Sequence, residues 1–367
     1  AYGGRPPETK HLNTSNRRTL MYELNQLYVK RCRKHWNNIA KPLYSLGKLE
    51  DYIIQIAGIC DTEKIDLAKK AVIVFCADNG VVCEGVTQSG KEVTAIVAES
   101  IANGTANINA IAGTVNADVF PVDMGIDLNI TNPKIINRKI AHGTKNISKE
   151  PAMTKKQAED AIQAGIDLAG DFRKSGYKIL ATGEMGIGNT TTSSAVSAVL
   201  LGLSPETVTG RGAGLPNDRL EHKISVIRKA IEINSPDRSD ALDVLSKLGG
   251  FDIAGMAGMF IGGAVHRIPV VIDGFISSVS ALIAVKLCPD VRNFIIPSHT
   301  SNEPAGKLIM QALGFSPVID GNLSLGEGTG AVMMFSLLDS ALAVYNQNTT
   351  FENISIEPYQ DFNAEKG

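Results

Sequence analysis

A glutamate is an unexpected residue at the centre of a glycine-rich turn, yet residues 324–331, SLGEGTGA, set Glu327 among three glycines. Glycine-rich loops ordinarily cradle phosphate with backbone N–H groups, a use that a central carboxylate opposes. A single carboxylate that backbone and ligand can approach closely suits proton abstraction instead, and an apolar pocket would make it a better base. The other reading is a glutamate near a helix N-terminus, worth about 0.3–1 kcal/mol through the helix dipole. The stretch alone supports both.

A second glycine-rich segment, ATGEMGIGNTTTSSAV (181–196), follows an apolar run and opens a helical pattern. Gly183, Gly186 and Gly188 permit tight turns, while Asn189 and the hydroxyls of Thr190, Thr191 and Thr192 fall where a helix start leaves N–H groups free. That pattern points to an anion or phosphate site, or more simply to a threonine-capped turn. The lysine of a Walker loop is absent, and the glycine spacing is GxxGxG, not the GxGxxG of dinucleotide folds. GRGAGLPNDRLEHK (210–223) adds Arg211, Arg219 and Lys223, either solvated or directed at phosphate. IPSHTSNEPAGK (296–307) carries Ser298, His299 and Ser301, but lacks the G-x-S-x-G elbow of a serine nucleophile. Asp78 and Asp273 end apolar runs, as sugar-hydroxyl acceptors or as turn formers.

These residues need a frame. Apolar, β-branched runs at 71–80, 117–126, 177–186, 268–275 and 292–300 each end in a polar or glycine-containing turn. Helical patterns separate them, roughly at 189–202, 217–234, 275–287 and 302–313, and one from Thr154 carries Gln157 three residues on, the signature of a capping box. Strands alternating with helices indicate an α/β fold, a mostly parallel sheet with helices on both faces, whose strand ends hold the ligand. Residues 19–62 and the end of the chain read as helical without strands, and together suit a smaller helical domain. The glycines of GGFDIAGMAGMFIGGAVHR (249–267) would each cost roughly 1 kcal/mol in a helix relative to alanine, which suggests a close approach to a sheet or to another subunit.

Composition narrows the class. The 367 residues are 44% hydrophobic and 20% charged with net charge −2, which suits a globular protein with a sizeable core. No basic block marks a nucleic-acid surface; the lysines and arginines at 17–34 alternate with apolar residues. Five cysteines, Cys32, Cys60, Cys76, Cys83 and Cys288, are scattered without a CxxC pair, so a reducing compartment is expected and a zinc site is not. The longest apolar stretch, 253–287, is broken by Arg267, Pro269 and Asp273, so no membrane span and a cytoplasmic location are expected. Residues 1–18 are polar and carry no weight in the fold.

Seven motifs occur along the chain in the order of one family: CADNGVVCEGV, GEMGIGNTTT, GRGAGL, GGFDIAGMAG, PVVIDGFISS, PSHTSNEPAG and LGEGTGAVM, with KPLYSLGKLEDYIIQIAGI before them. Over about 35–357 the chain resembles the nicotinate-nucleotide:dimethylbenzimidazole phosphoribosyltransferases, which make the lower-ligand nucleotide of cobamides. The resemblance implies a Rossmann-like large domain (63–334), a small helical domain from both chain ends (19–62 with about 335–360), and a dimer of identical chains or with a paralogue. It implies transfer of phosphoribose from nicotinate mononucleotide to an aromatic base, with inversion and no metal or organic cofactor.

By the same resemblance Glu327 is the general base and Glu184 a second carboxylate near the nucleotide. Gly186, Gly188, Asn189, Thr190, Lys223 and Ser301 face the phosphoribose; Ser89, Val97, Asn79 and Leu325 belong to the acceptor pocket. Two positions depart from the family pattern. Asn79 replaces a histidine, and Val97 replaces a glutamine that contacts benzimidazole, a hydrogen bond worth about 0.5–1.5 kcal/mol. An apolar residue at 97 suits a phenolic acceptor, phenol or p-cresol, as the alternative to a benzimidazole. A non-catalytic subunit supporting a paralogue is a further alternative, opposed by the retained Glu327 and GEMGIGNTTT.

Overall fold

The computed structural model describes residues 22–346 and 349–360; the polar 1–18 segment and residues 19–21 lie outside them. Helices α1 (Gln26–Asn38) and α2 (Lys48–Cys60) precede the first strand, β1 (Lys70–Ala77). Then come α3 (Glu92–Ala102), α4 (Asn107–Gly113), β2 (Ala117–Gly125), β3 (Ile136–Asn137), α5 (Lys155–Lys174) and β4 (Ile179–Met185). The middle of the chain supplies α6 (Asn189–Leu201), α7 (Pro205–Val208), α8 (Asn217–Asn234), α9 (Ala241–Leu248) and α10 (Phe251–Val265). The last third holds β5 (Val270–Val271), α11 (Phe275–Leu287), β6 (Ile295–Ile296), α12 (Pro304–Ala312) and α13 (Thr329–Tyr345).

The six strands form one parallel sheet in the order β3-β2-β1-β4-β5-β6. Every residue of β1 is buried, as expected of a central strand covered by helices on both faces. The chain leaves β1 toward β2 on one side and β4 on the other, so the strand order reverses between β1 and β4. Helices on either side of such a reversal part and leave a crevice at the carboxyl ends of the strands, where this fold class binds its ligand. The expected strands and helices are present, and Thr154 and Gln157 form the capping box at α5.

One face of the sheet carries α5, α6 and α8–α12, whose buried side chains make one continuous core. On the other face α1, α2, α3, α4 and α13 pack over Val72, Val74, Ile179 and Ala181. The two chain ends meet there: Trp36 of α1 and Tyr345 of α13 stack edge to face at 5.1 Å, and Ile39 bridges Thr350. Among the described residues no helix is long and apolar enough to cross a membrane.

The glycines of α10 are explained within the chain. A Cβ on Gly258 would come within 2.0 Å of the Ile162 carbonyl oxygen, and one on Gly165 of α5 within 2.0 Å of the Gly255 carbonyl oxygen. The two helices therefore touch backbone to backbone, and Gly255 packs in turn against Phe75 of β1. Asp252, in the first turn of α10, is carried by this packing to the ends of β1 and β4. Gly258→Ala is expected to force the helices apart and destabilise the fold by about 1–3 kcal/mol, read as a lower urea midpoint; an unchanged midpoint would contradict the close contact.

Candidate active site

The residues at the crevice come from strand ends and from the turns that follow them. The turn before α13 has three successive residues in the left-handed region, Gly326 (φ 80°), Glu327 (φ 61°) and Gly328 (φ 95°). Glycine adopts that region freely, whereas glutamate does so only under outside constraint, at about 1–2 kcal/mol. The constraint is Asp273, at the end of β5. Its Oδ1 accepts from the N–H groups of Gly330 (2.8 Å) and Ala331 (3.2 Å), and its Oδ2 from Gly328 (3.1 Å). The first turn of α13 has no side-chain cap of its own, so a carboxylate from another element supplies one. Asp273 is thus a turn former.

The turn lies directly on the sheet. A Cβ on Gly183 of β4 would meet the Glu327 carbonyl oxygen at 2.4 Å, and one on Gly328 would meet Val72 at 2.7 Å. The glycines around Glu327 therefore serve the turn and its contact with β1 and β4. With its backbone held, Glu327 directs Oε2 to the Ile108 N–H in the first turn of α4, at 3.1 Å. Among the described residues no donor is bonded to Oε1, which leaves that oxygen for a proton.

Glu184, in β4, stands beside this turn; a Cβ on Gly326 would come within 2.7 Å of its Oε1. The side-chain amide of Asn189 donates to Glu184 Oε2 and to Asp252 Oδ2, the latter at 3.0 Å, so one NH2 bridges two carboxylates. Asp252 Oδ1 is buried without a partner. No lysine or arginine pairs with Glu184, Asp252, Asp273 or Glu327 among the described residues. Burial, reinforced by the charges of Asp252, Asp273 and Glu327, pushes the Glu184 carboxyl up to about 8 against the Asn189 hydrogen bond. Burial likewise raises Asp252 and Asp273 to about 6, opposed by the hydrogen bonds each receives. Among the described residues no group of His, Cys, Asp and Glu side chains converges so as to hold a metal ion.

At the other end of the crevice stands Lys223 of α8, fully buried. Its Nζ donates to Thr190 Oγ1 (2.9 Å) and to the Gly210 carbonyl oxygen (3.3 Å). Burial lowers its pKa to about 8, and Glu303 partly offsets that. Gly188, at φ 94°, opens α6 without a side-chain cap, and Thr190 follows two residues on. Thr191 and Thr192 are buried; Thr192 donates to Asn189 O and Asn79 Oδ1.

Most of the residues singled out above gather here. Glu327, Glu184 and Asn189 form one cluster, and Thr190 and Lys223 another. Gly186 and Gly188 lie over Asn79, which is 2% exposed and donates to the Ile187 carbonyl oxygen at 3.4 Å. Ser301 Oγ accepts from the Glu303 N–H. Ser89 is exposed, in a loop whose Gln88 donates to Ala213 O and Gly214 O; Leu325 is 52% exposed, and Val97 of α3 is half-buried against the core. Arg211 and Arg219 are occupied with Leu215, Asn217 and the Gly85 carbonyl oxygen.

Ser298 Oγ lies 3.1 Å from both the Asp273 carbonyl oxygen, which can only accept, and His299 Nδ1. The carbonyl competes with His299 for the single hydroxyl proton, which opposes nucleophile activation, and burial holds His299 neutral, near 4. Asp252 was not legible as a site residue; its one signal was an acid in the first turn of a helix that is otherwise apolar and glycine-rich.

Comparison with known proteins gives a consistent set. A family model described as a phosphoribosyltransferase, DBI_PRT, matches residues 21–356. The nicotinate-nucleotide–dimethylbenzimidazole phosphoribosyltransferase of Acetivibrio thermocellus is 50% identical over 328 residues, covering 89% of this chain and 93% of the relative. Its counterpart from Ruminiclostridium cellulolyticum is 47% identical over 338 residues, covering 92% and 96%. The crystal structure of CobT from Thermus thermophilus superposes with a TM-score of 0.85 at 35% identity, covering 91% of this chain and 100% of that one.

The carboxylate cluster makes stability depend on pH. A carboxyl raised in the folded state from 4.5 to about 8 contributes stability that is complete below 4.5 and lost as pH rises through 8. Asp252 and Asp273 act in the same sense but finish near 6, whereas Lys223 titrates between about 8 and 10.5. Of these acids only Glu184 titrates in the interval between them, while His299 and His266, lowered by burial from 6.5, act in the opposite sense up to about 6.5 and cancel in a comparison with a Glu184 variant. The unaltered protein should therefore lose denaturation midpoint from pH 6 to pH 8 relative to Glu184→Gln; parallel curves would contradict a protonated Glu184.

Proposed function

The chain belongs to the nicotinate-nucleotide–dimethylbenzimidazole phosphoribosyltransferase family, and we propose that it transfers phosphoribose from nicotinate mononucleotide to 5,6-dimethylbenzimidazole or a related lower-ligand base. The products are an α-ribotide and free nicotinate.

The observation that carries this reading is the opposition of charge along the crevice. Four acids without a bonded cation gather at the ends of β4 and β5, and a buried lysine stands beside the start of α6, where Asn189 of the acid cluster is followed by Thr190, which the lysine bonds. Nicotinate mononucleotide has the matching polarity, with a phosphate at one end and a cationic ring nitrogen on C1′ at the other. As the C1′–N bond breaks, its electrons return to the ring nitrogen and nicotinate leaves as a neutral pyridine, so no acid is needed for its departure. The ribose gains oxocarbenium character, which a preorganised negative environment stabilises. Lys223, Thr190 and Ser301 hold the phosphate, and fixing that end orients C1′.

The acceptor nitrogen attacks C1′ from the face opposite nicotinate, and the proton on its other nitrogen passes to Glu327. Two features support Glu327 in that role. Its Oε2 is anchored on the Ile108 N–H, and Asp273 maintains its left-handed backbone. Glu184, by contrast, retains a proton near neutrality and is suited to donating a hydrogen bond to the nucleotide. Assembly as a dimer, of identical chains or with a paralogue, belongs to the same proposal and is measured by sedimentation.

Glu327→Gln should leave nicotinate mononucleotide affinity within a few-fold while lowering turnover by roughly 10²–10⁴, followed as nicotinate release; unchanged turnover would remove the base assignment. With dimethylbenzimidazole, phenol and p-cresol in competition, N-linked ribotide should dominate the products. Predominant O-linked ribotide would assign the acceptor pocket, with Val97 in it, to phenols.

A further inference from the structure

Glu303 occupies the N-cap position of α12, where a side chain normally bonds its own helix, yet it makes no such bond. It turns to a different element. The Gly212 N–H donates to Glu303 Oε1 at 2.9 Å, across a separation of 91 residues. Glu303 Oε2 is buried with no hydrogen-bond partner, and lies so close to Gly210 that a Cβ there would come within 1.8 Å of it. Immediately behind the same loop is the Lys223 ammonium; a Cβ on Gly212 would sit 3.6 Å from its Nζ and 3.0 Å from Thr190 Oγ1. Lys223 forms no ion pair among the described residues, and Glu303 is the acid that offsets its burial.

The donors at this end of the crevice are the Gly212 N–H, the Lys223 ammonium and the Thr190 hydroxyl. The first of them is bonded to a single carboxylate, which is itself bonded there through one oxygen only. A phosphomonoester, carrying about −1.5 to −2 charges and three acceptor oxygens, needs these same donors. It cannot share them with a neighbouring carboxylate without repulsion. The orphaned Oε2 makes departure easy, because a Glu303 side chain that swings out regains solvent for both oxygens.

We propose that Glu303 is a built-in competitor for the phosphate: its carboxylate holds the Gly212 N–H beside Lys223, and it withdraws when the nucleotide's phosphate arrives. This rests on Lys223 and Thr190 being the phosphate side of the site. Glu303 is then a positioning residue. It keeps the 210–212 loop and Lys223 arranged, and it weakens the hold on substrate and product phosphate alike. Uniform loosening of that kind raises KM and hastens product release without changing the bond-breaking step.

The test is calorimetric binding of inorganic phosphate and of nicotinate mononucleotide to Glu303→Gln and to the unaltered protein, with Lys223→Ala as reference. Glutamine keeps an acceptor for Gly212 and removes only the charge. Glu303→Gln should bind both ligands roughly 3- to 30-fold tighter, with a lower KM and slower release of ribotide in single-turnover experiments. Equal or weaker binding overturns the proposal, because a merely structural role would loosen the loop and change affinity in the opposite direction. If Glu303→Gln does not fold, Glu303→Ala is read by the same criterion. Lys223→Ala separates the two levels of inference. If it loses phosphate affinity while Glu303→Gln gains none, only the competitor role falls; if it leaves phosphate affinity unchanged, the phosphate-side reading falls and the competitor role with it.

Discussion

The carboxylate of Asp273 accepts hydrogen bonds from Gly328, Gly330 and Ala331, and the geometry of the crevice depends on that one set of contacts. Charge-assisted bonds of this kind contribute about 1.5–3 kcal/mol each, enough to hold a glutamate backbone in the left-handed region, although burial still leaves the acid raised to about 6. They also join β5 to the first turn of α13. Without that junction Glu327 would have no reason to lie against β4, or to reach the Ile108 N–H. A single acid from one strand therefore fixes the position of a second acid that comes from a turn 54 residues later in the chain.

Around this junction the molecule separates charge in a way that folding alone would not favour. Glu184 and Asp252 share one Asn189 amide with no cation bonded to either, and Lys223 is buried without an ion pair. Buried charges lacking a partner are strongly destabilising, and most proteins pair or neutralise them. Here the mismatch coincides with the reversal of strand order between β1 and β4, where a ligand enters. Groups held in costly environments cluster at functional sites, and under the proposed function a substrate with phosphate and pyridinium ends would supply the missing counter-charges.

Much of the frame was legible beforehand. The run at 71–80 is a fully buried central strand, and the 154–157 capping box starts α5, because continuous apolar β-branched runs and caps are local signals. The outer strands β5 and β6 are only two residues each, shorter than the apolar runs suggested. Parallel pairing at a sheet edge depends on neighbours that local periodicity does not report. The glycines of α10 signalled a close approach without naming its target; the target is α5, across a backbone contact between segments nearly a hundred residues apart. The Ser298–His299 pair had the right composition for chemistry, but the Asp273 carbonyl oxygen competes for the Ser298 proton and His299 is packed against Gly330, beneath the Glu327 turn.

Local order in the chain was sufficient to single out Glu327, the GEMGIGNTTT turn and an α/β frame, since glycine content, capping and strand period act over a few residues. Resemblance added the family and assigned roles. The surroundings of each acid were decided only by the fold: Glu184, in β4, is packed among three other acids and burial raises it to about 8, whereas Glu327 rests on a helix start. The fold likewise recruited Asp252 and Glu303, which no spacing rule marks, by bringing α10 to the strand ends and the N-cap of α12 to the 210–212 loop. Burial and Coulomb energy depend on distance through space, and distances between segments this far apart in sequence exist only once the chain has folded.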